Sequence, residues 1–274
     1  MLSSVRDAGG GVQTSRFSYD PGWVLAFASS LLLGRRRSFA ADSRRLRGFV
    51  TPEPRVEGSE FIPRHGSFVL VTNHYYRPGY NMWWGMATIG VAVAGAREHP
   101  GEVVWIVANR WTYPDWLRSH VVTPATRVLF TRLARTYGFV SMPPMPPRPQ
   151  YMGEAVRAVR QALSLAASAT VESPVVIAIA PEGGDSPDGT LMQPPSGAGR
   201  LMLHLAGHGL PFLPVGVSEV DGVLIAGFGP LFVLEAQPGV ARDDLDRAAS
   251  SRVMAAIGAL LPGKLRGVYE KGAM

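Results

Sequence analysis

The chain has 274 residues, 46% of them hydrophobic, so it can bury a full core and suits one large α/β domain better than two small ones. It contains no cysteine, which excludes disulfides, thiol nucleophiles and cysteine-ligated zinc together and leaves the redox compartment unmarked. The net charge of +6 is carried almost wholly by arginine, and no interleaved basic-aromatic stretch, helix-turn-helix pattern or zinc-finger spacing goes with it, so nucleic acid is not an expected partner.

In chain order, residues 1–50 read as an N-terminal arm and residues 51–274 as the α/β domain. Pro21 to Gly34 is apolar and uncharged but shorter than the roughly 20 residues that a membrane-spanning helix needs. Asp7 and Asp20 precede it without a short basic start, so it does not read as a secretory signal. Arg35, Arg36 and Arg37, then Arg44, Arg45 and Arg47, follow directly. An apolar helix beside a basic cluster points to an anionic membrane surface, at about 1 kcal/mol per basic residue near the headgroups. The expected location is therefore cytoplasmic and peripheral, on the inner face of the cell membrane; a merely solvated arginine face is the competing explanation.

Five short apolar or β-branched runs have the pattern of buried parallel strands: Phe68 to Thr72, Val103 to Ala108, Val175 to Ala180, Phe212 to Val217 and Val223 to Gly227. Helices are predicted between them. Pro78 to Ala96 is uncharged and reads as a buried helix behind the first strand. Pro124 to Tyr137 and Tyr151 to Ala169 carry apolar residues at helical spacing. Ser196 is the predicted N-cap of a helix that runs to His208, before Gly209 and Pro211. Ala241 to Leu261 begins with Asp243, Asp244 and Asp246, whose charges suit the positive end of a helix dipole. Met142 to Pro149 reads as a rigid proline-rich loop. The expected fold is a single α/β domain with a mostly parallel central sheet flanked by helices and an N-terminal helical arm.

Two strands run straight into chemistry-bearing loops. Phe68 to Thr72 delivers Asn73-His74, and Val175 to Ala180 delivers Pro181-Glu182-Gly183-Gly184-Asp185-Ser186. Polar residues at the ends of parallel strands converge on the carboxyl edge of a sheet, where ligands normally bind.

In their order and spacing these blocks resemble the glycerolipid acyltransferase family, which includes the lysophosphatidic acid and glycerol-3-phosphate acyltransferases. There an Asn-His is followed by four residues and an aspartate, and a later block reads roughly Phe-Pro-Glu-Gly-Thr-Arg-Ser. Gly138-Phe139-Val140, Leu213-Pro214-Val215 and the ending Leu261-Pro262 with Arg266-Gly267-Val268-Tyr269 lie where the family has further blocks. The resemblance implies transfer of a fatty acyl group from a thioester, on coenzyme A or acyl carrier protein, to a hydroxyl or amine acceptor. No other cofactor and no metal is expected. It makes His74 the general base, with Asn73 beside it in the catalytic motif, and assigns Glu182, Gly183, Gly184, Asp185, Arg77 and Gly138 to substrate binding. A histidine near neutral pKa is suited to removing a hydroxyl proton, and a glycine-rich turn can present backbone N–H groups to an oxyanion.

This chain departs from the family pattern in two ways. Gly79 stands where the aspartate belongs, and disabling the equivalent carboxylate in serine-protease triads costs a factor on the order of 10⁴. Asp185, Glu182 and Asp115 are the candidate replacements, with Tyr80 or a backbone carbonyl as uncharged alternatives. Phosphate-binding arginines are also missing, since Ser141-Met142 and Asp185 occupy their places. The expected acceptor is thus not a simple glycerol phosphate unless Arg77 or Arg110 reaches a phosphate from elsewhere. A non-catalytic lipid- or partner-binding protein and a thioesterase-like hydrolase are the alternative functions. His204 and His208 have metal-ligand spacing but no third ligand, no Gly-x-Ser-x-Gly elbow occurs, and Tyr75, Tyr76, Tyr80, Trp83 and Trp84 suit either an acyl tunnel or core packing.

Overall fold

A computed structural model of the chain describes residues 14–98, 101–186 and 188–272. The strands are β1 (Arg16–Phe17), β2 (Val50–Thr51), β3 (Arg55–Glu57), β4 (Phe68–Thr72), β5 (Val103–Ala108), β6 (Val140–Met142), β7 (Val176–Ile179), β8 (Phe212–Val220) and β9 (Val223–Phe228). The helices are α1 (Pro21–Leu33), α2 (Phe39–Arg47), α3 (Trp83–Ala96), α4 (Trp116–Tyr137), α5 (Met152–Ala167), α6 (Ala198–Ala206) and α7 (Arg242–Gly258). β3 to β9 form one seven-stranded sheet in the order β3-β9-β8-β4-β7-β5-β6. β4, β5, β6, β7 and β8 run parallel, and β9 turns back antiparallel to β8 through the tight turn at Asp221 and Gly222. The expected α/β architecture with a mostly parallel sheet is the observed one.

The central strands are apolar without interruption because both faces of the sheet are covered. Phe68 and Leu70 of β4 face one core with Trp84, Ile89, Trp105 and Phe139. Val69 and Val71 face the other, with Ala158, Met202, Leu205, Val253 and Ile257 from α5, α6 and α7. The two-residue period of the strand thus splits a single apolar run between two helical layers.

The arm joins the first of these layers. Asp42, buried on α2, accepts from Trp23 Nε1 on α1 at 3.0 Å, from Tyr137 Oη on α4 at 2.7 Å, and from the Arg37 guanidinium through both carboxylate oxygens. Of the six arginines read as one basic cluster, Arg37 pairs with Asp42 and Arg47 with Glu53, while Arg35, Arg36, Arg44 and Arg45 are exposed.

Three local expectations are corrected. α4 begins eight residues before Pro124, because the Asp115 side chain accepts from Arg118 N–H at 2.9 Å and caps the helix there. Pro124 faces outward, on the solvent side of the helix. α6 is capped by Asp246 rather than Ser196: the two Asp246 oxygens accept from Gly197 N–H at 2.7 Å and Arg200 N–H at 2.8 Å. Asp246 therefore serves the neighbouring helix, and Asp243 and Asp244 alone occupy the first turn of α7. Of the five aromatic residues left open between tunnel and core, Tyr75, Tyr80 and Trp84 pack in the first core, with Phe17 stacked 5.0 Å from Trp84, while Tyr76 is exposed and Trp83 lines an apolar cavity with Trp23, Phe27 and Tyr137.

Burial alone would raise the Asp42 carboxyl, but the donors Arg37, Tyr137 and Trp23 outweigh it and hold it below the ordinary aspartate value. The stabilisation from this depressed group is complete above the ordinary aspartate range and is lost as pH falls through the folded-state value. Replacing Asp42 with Ala strands a half-buried arginine and two buried donors, with an expected cost of about 3 to 5 kcal/mol in urea unfolding at neutral pH. The difference between the two proteins should shrink as the medium is made acidic.

Candidate active site

β4 ends at the carboxyl edge of the sheet, and Asn73 continues the pairing by other means. The last β4–β8 rung is Thr72 with Val215. Beyond it, Asn73 Nδ2 donates to the Val217 carbonyl at 2.9 Å, and Asn73 Oδ1 accepts from Val217 N–H at 2.7 Å. The side-chain amide thereby replaces a backbone rung and fixes where His74 leaves the sheet. Both ends of the buried amide engage Val217, so Asn73, expected in the catalytic motif, positions the residue that follows it.

The second motif is brought to the same edge by β7, the neighbour of β4. Glu182, only 6% exposed, accepts from His74 N–H at 2.6 Å through one oxygen and from Met192 N–H at 2.7 Å through the other. Burial pushes its carboxyl above the ordinary glutamate value, and the two backbone donors partly offset this. Expected to hold the acceptor, Glu182 instead clamps the two motif loops together. A second close approach sits beside it: a side chain at Gly189 would come within 2.7 Å of the Tyr76 carbonyl, so only glycine lets the loops meet.

The clamp sets the His74 ring against Asp185, whose Oδ1 lies 2.5 Å from Nδ1. The oxygen stands off the line of the ring N–H, and Nδ1 has no aligned hydrogen-bond partner among the described residues. The pair is thus a close approach of carboxylate to ring nitrogen without hydrogen-bond alignment. His74 is about a quarter exposed and Asp185 about half. Of the three carboxylates proposed to replace the missing aspartate, Asp185 reaches the ring, Glu182 holds the backbone and Asp115 caps α4.

Gly183 has φ +73° and donates its N–H to the Ala180 carbonyl at 3.2 Å, closing a tight turn. Its N–H is therefore spent on the turn; Gly183 is exposed and Gly184 half-buried, with open space where a side chain would stand. Beside Gly183 lies an apolar cavity of about 120 Å³, walled by Ile106, Met142, Met145, Val159, Ile179 and Leu201. The proline-rich loop predicted over Met142 to Pro149 supplies one side of it.

The remaining assigned residues lie elsewhere. Arg77 is committed to Glu219 and to the Ser15 carbonyl at 2.8 Å, and the same Glu219 with burial pushes the Tyr75 hydroxyl up to about 12. Arg110, buried, pairs with Glu154 and stacks over Tyr151 at 4.0 Å. Gly138 is the left-handed C-cap of α4, before β6, and so sits at the amino edge of the sheet, opposite His74; its expected substrate contact is corrected accordingly. His65 faces Glu98 at 3.3 Å, His208 Nδ1 lies 2.9 Å from the His204 carbonyl, and His99 lies outside the described residues. Glu219 and Val217 on β8 were missed in the sequence because their part in the site depends on side chains 142 and 144 positions away.

A histidine, a carboxylate at its ring, a glycine turn and an apolar cavity at one sheet edge define a site for acyl-group chemistry. Residues 53–218 match the acyltransferase family, and the chain belongs to that family. In solved structures it is similar to the crystal structure of the 1-acyl-sn-glycerophosphate (LPA) acyltransferase PlsC from Thermotoga maritima, at 18% identity and a TM-score of 0.49, covering 78% of this chain and 75% of that one. Among curated proteins none matches it.

Asn73→Ala leaves a buried N–H and carbonyl of Val217 without their partners, so it should destabilise the protein by about 2 to 4 kcal/mol. Chemical denaturation measures this loss. Where the variant is folded, its turnover number should fall while KM for the acyl donor stays near the wild-type value, because the ring is displaced and donor binding is not.

Proposed function

We propose that the protein is a membrane-associated acyltransferase in which His74 acts as general base, Asp185 supports the charged imidazole, and the acceptor is an uncharged or cationic alcohol or amine. The 2.5 Å approach of Asp185 to His74 carries this reading. It supplies from the second motif the carboxylate that Gly79 cannot supply in the first. In the reaction, the acceptor hydroxyl gives its proton to the free ring nitrogen of His74 as its oxygen bonds to the thioester carbonyl carbon. The tetrahedral oxyanion then collapses, the carbon–sulfur bond breaks, and the thiolate takes the proton back from the imidazolium. Asp185 stabilises that imidazolium through Nδ1. The apolar cavity beside Gly183 suits the acyl chain of the donor.

The acceptor class follows from charge. The two arginines that the sequence offers for a phosphate, Arg77 and Arg110, are committed to Glu219 and Glu154. A half-exposed carboxylate faces the ring instead, and it repels a phosphate. Membrane association is supported by the arm, where Leu25, Leu32 and Leu33 of α1 are exposed beside Arg35 and Arg36. No described helix is long and apolar enough to cross a membrane.

Thiol release from acyl-CoA tests the reaction. Release that requires an added long-chain alcohol or amine supports transfer, release without one indicates hydrolysis, and silence with every acceptor leaves a binding protein. Asp185→Asn should lower the turnover number by a factor on the order of 10² to 10⁴ with little change in KM for the donor. Faster transfer to lysophosphatidic acid than to uncharged alcohols would overturn the acceptor assignment.

A further inference from the structure

α4 is an unusual surface helix. Its inward face is ordinary: Thr123, Thr126, Leu133, Ala134 and Tyr137 are buried. Its outward face is not polar. Leu117, Val121 and Val128, spaced by four and seven residues and so in line along the helix, are 64%, 59% and 54% exposed, with Leu129 beside them. The 22 residues contain four arginines and no aspartate or glutamate. Arg132 and Arg135 continue the same outward line toward the helix C-terminus, where Arg37 N–H of the arm donates to the Thr136 carbonyl. At the other end, Trp116 is 72% exposed and Trp111 54% exposed, in the segment that leaves β5 at the carboxyl edge of the sheet.

We infer that the outward face of α4 is the surface that lies on an anionic lipid bilayer, with its tryptophan end, at the carboxyl edge that carries His74, seated in the headgroups. This deepens, and rests on, the membrane-associated reading above. Three features select lipid over a protein partner. The apolar stripe is continuous over about three turns, larger than scattered surface residues require. Arg118 faces Asp115 and Arg127 pairs with Glu154, which leaves Arg132 and Arg135 as the helix's uncompensated charge among the described residues; it is positive and complements anionic headgroups. The two exposed tryptophans sit at the end nearest the site, where an amphipathic ring suits the headgroup level.

Flotation with vesicles of phosphatidylglycerol and phosphatidylcholine, and with phosphatidylcholine alone, tests the assignment on the whole chain. The wild type should bind the anionic vesicles and release them in high salt. Val121→Glu with Val128→Glu should abolish binding, and Arg132→Gln with Arg135→Gln should weaken it roughly tenfold or more. Trp116→Phe with Trp111→Phe should remove most of the fluorescence blue shift that vesicles induce, which guards against a variant that merely unfolds. Thiol release from a soluble short-chain acyl-CoA, with a soluble short-chain alcohol or amine supplied as acceptor, should stay unchanged in all three variants, so loss of docking is distinguishable from failure of the transferase reading. The inference is overturned if the wild type ignores anionic vesicles, if it binds neutral ones equally, or if only Leu32→Glu with Leu33→Glu in α1 releases it. It is overturned equally if the glutamate variant instead dissolves a dimer seen by light scattering.

Discussion

The site depends on one buried carboxylate. Glu182 reaches the backbone N–H of a residue 108 positions earlier and that of Met192, ten positions later, and so ties those segments at one point. A carboxylate in a low-dielectric setting is tolerable only when donors satisfy it. Two backbone N–H groups do so here, and in return the carboxylate fixes the distance between the loop that carries His74 and the loop that carries Asp185. Asn73 sets the same loop from the other side by bridging to Val217. The imidazole is thus placed by two polar side chains whose hydrogen bonds go to backbone groups. Strand pairing brings the loops to one edge, and these two residues bring them to within bonding distance.

Seen this way, the departures from the family motif form one change and not two. The first block lacks its aspartate at Gly79, and the second has Asp185 where an arginine belongs. Gly79 adopts φ +79°, and a side chain there would point near the Arg77 guanidinium, which Glu219 already holds. The carboxylate is present at His74 but arrives from the other loop. The cost of that arrangement is the phosphate-binding position, since one site cannot hold both the arginine for an anionic acceptor and the aspartate for the ring. In the proposed reading, the acceptor class and the identity of the ring's partner are therefore coupled through Asp185.

Long apolar strands were legible in the sequence because burial on both faces leaves an uninterrupted run of Val, Ile, Leu and Phe. β4 and β5 begin and end where that pattern places them. The short elements were not. β1 and β2 have two residues each, and β3 is mostly exposed at the sheet edge, so none carries a period. α2 was hidden because two of its four buried positions are Asp42 and Ser43, and its three arginines read as a charge cluster. Burial of Asp42 makes sense only with donors from α1 and α4, which no local window contains. Gly138 shows the opposite failure. A position inferred by likeness to a family block fell on the wrong edge of the sheet, because a block marks where a strand begins as readily as where it ends. His74 and Asp185 were legible as candidates, but the choice among Asp185, Glu182 and Asp115 needed the turn at Gly183, a matter of φ and not of residue type.

Placing the site at a bilayer changes what the half-exposed Asp185 faces. An anionic surface raises the local concentration of cations and repels anions over about a Debye length, roughly 8 Å at physiological salt. A carboxylate directed into that layer adds to the repulsion of an anionic acceptor and draws in a protonated amine, which must lose a proton before it can attack. His74 is positioned to take that proton, and the same pair accepts it from a neutral alcohol. An acceptor that enters along the membrane needs no arginine clamp to hold its headgroup, because its own apolar chain anchors it in the bilayer. Under the proposed reading, the absence of a free arginine beside His74 and the apolar outer face on α4 belong together, because the membrane would then do the positioning that a guanidinium clamp does for a phosphate.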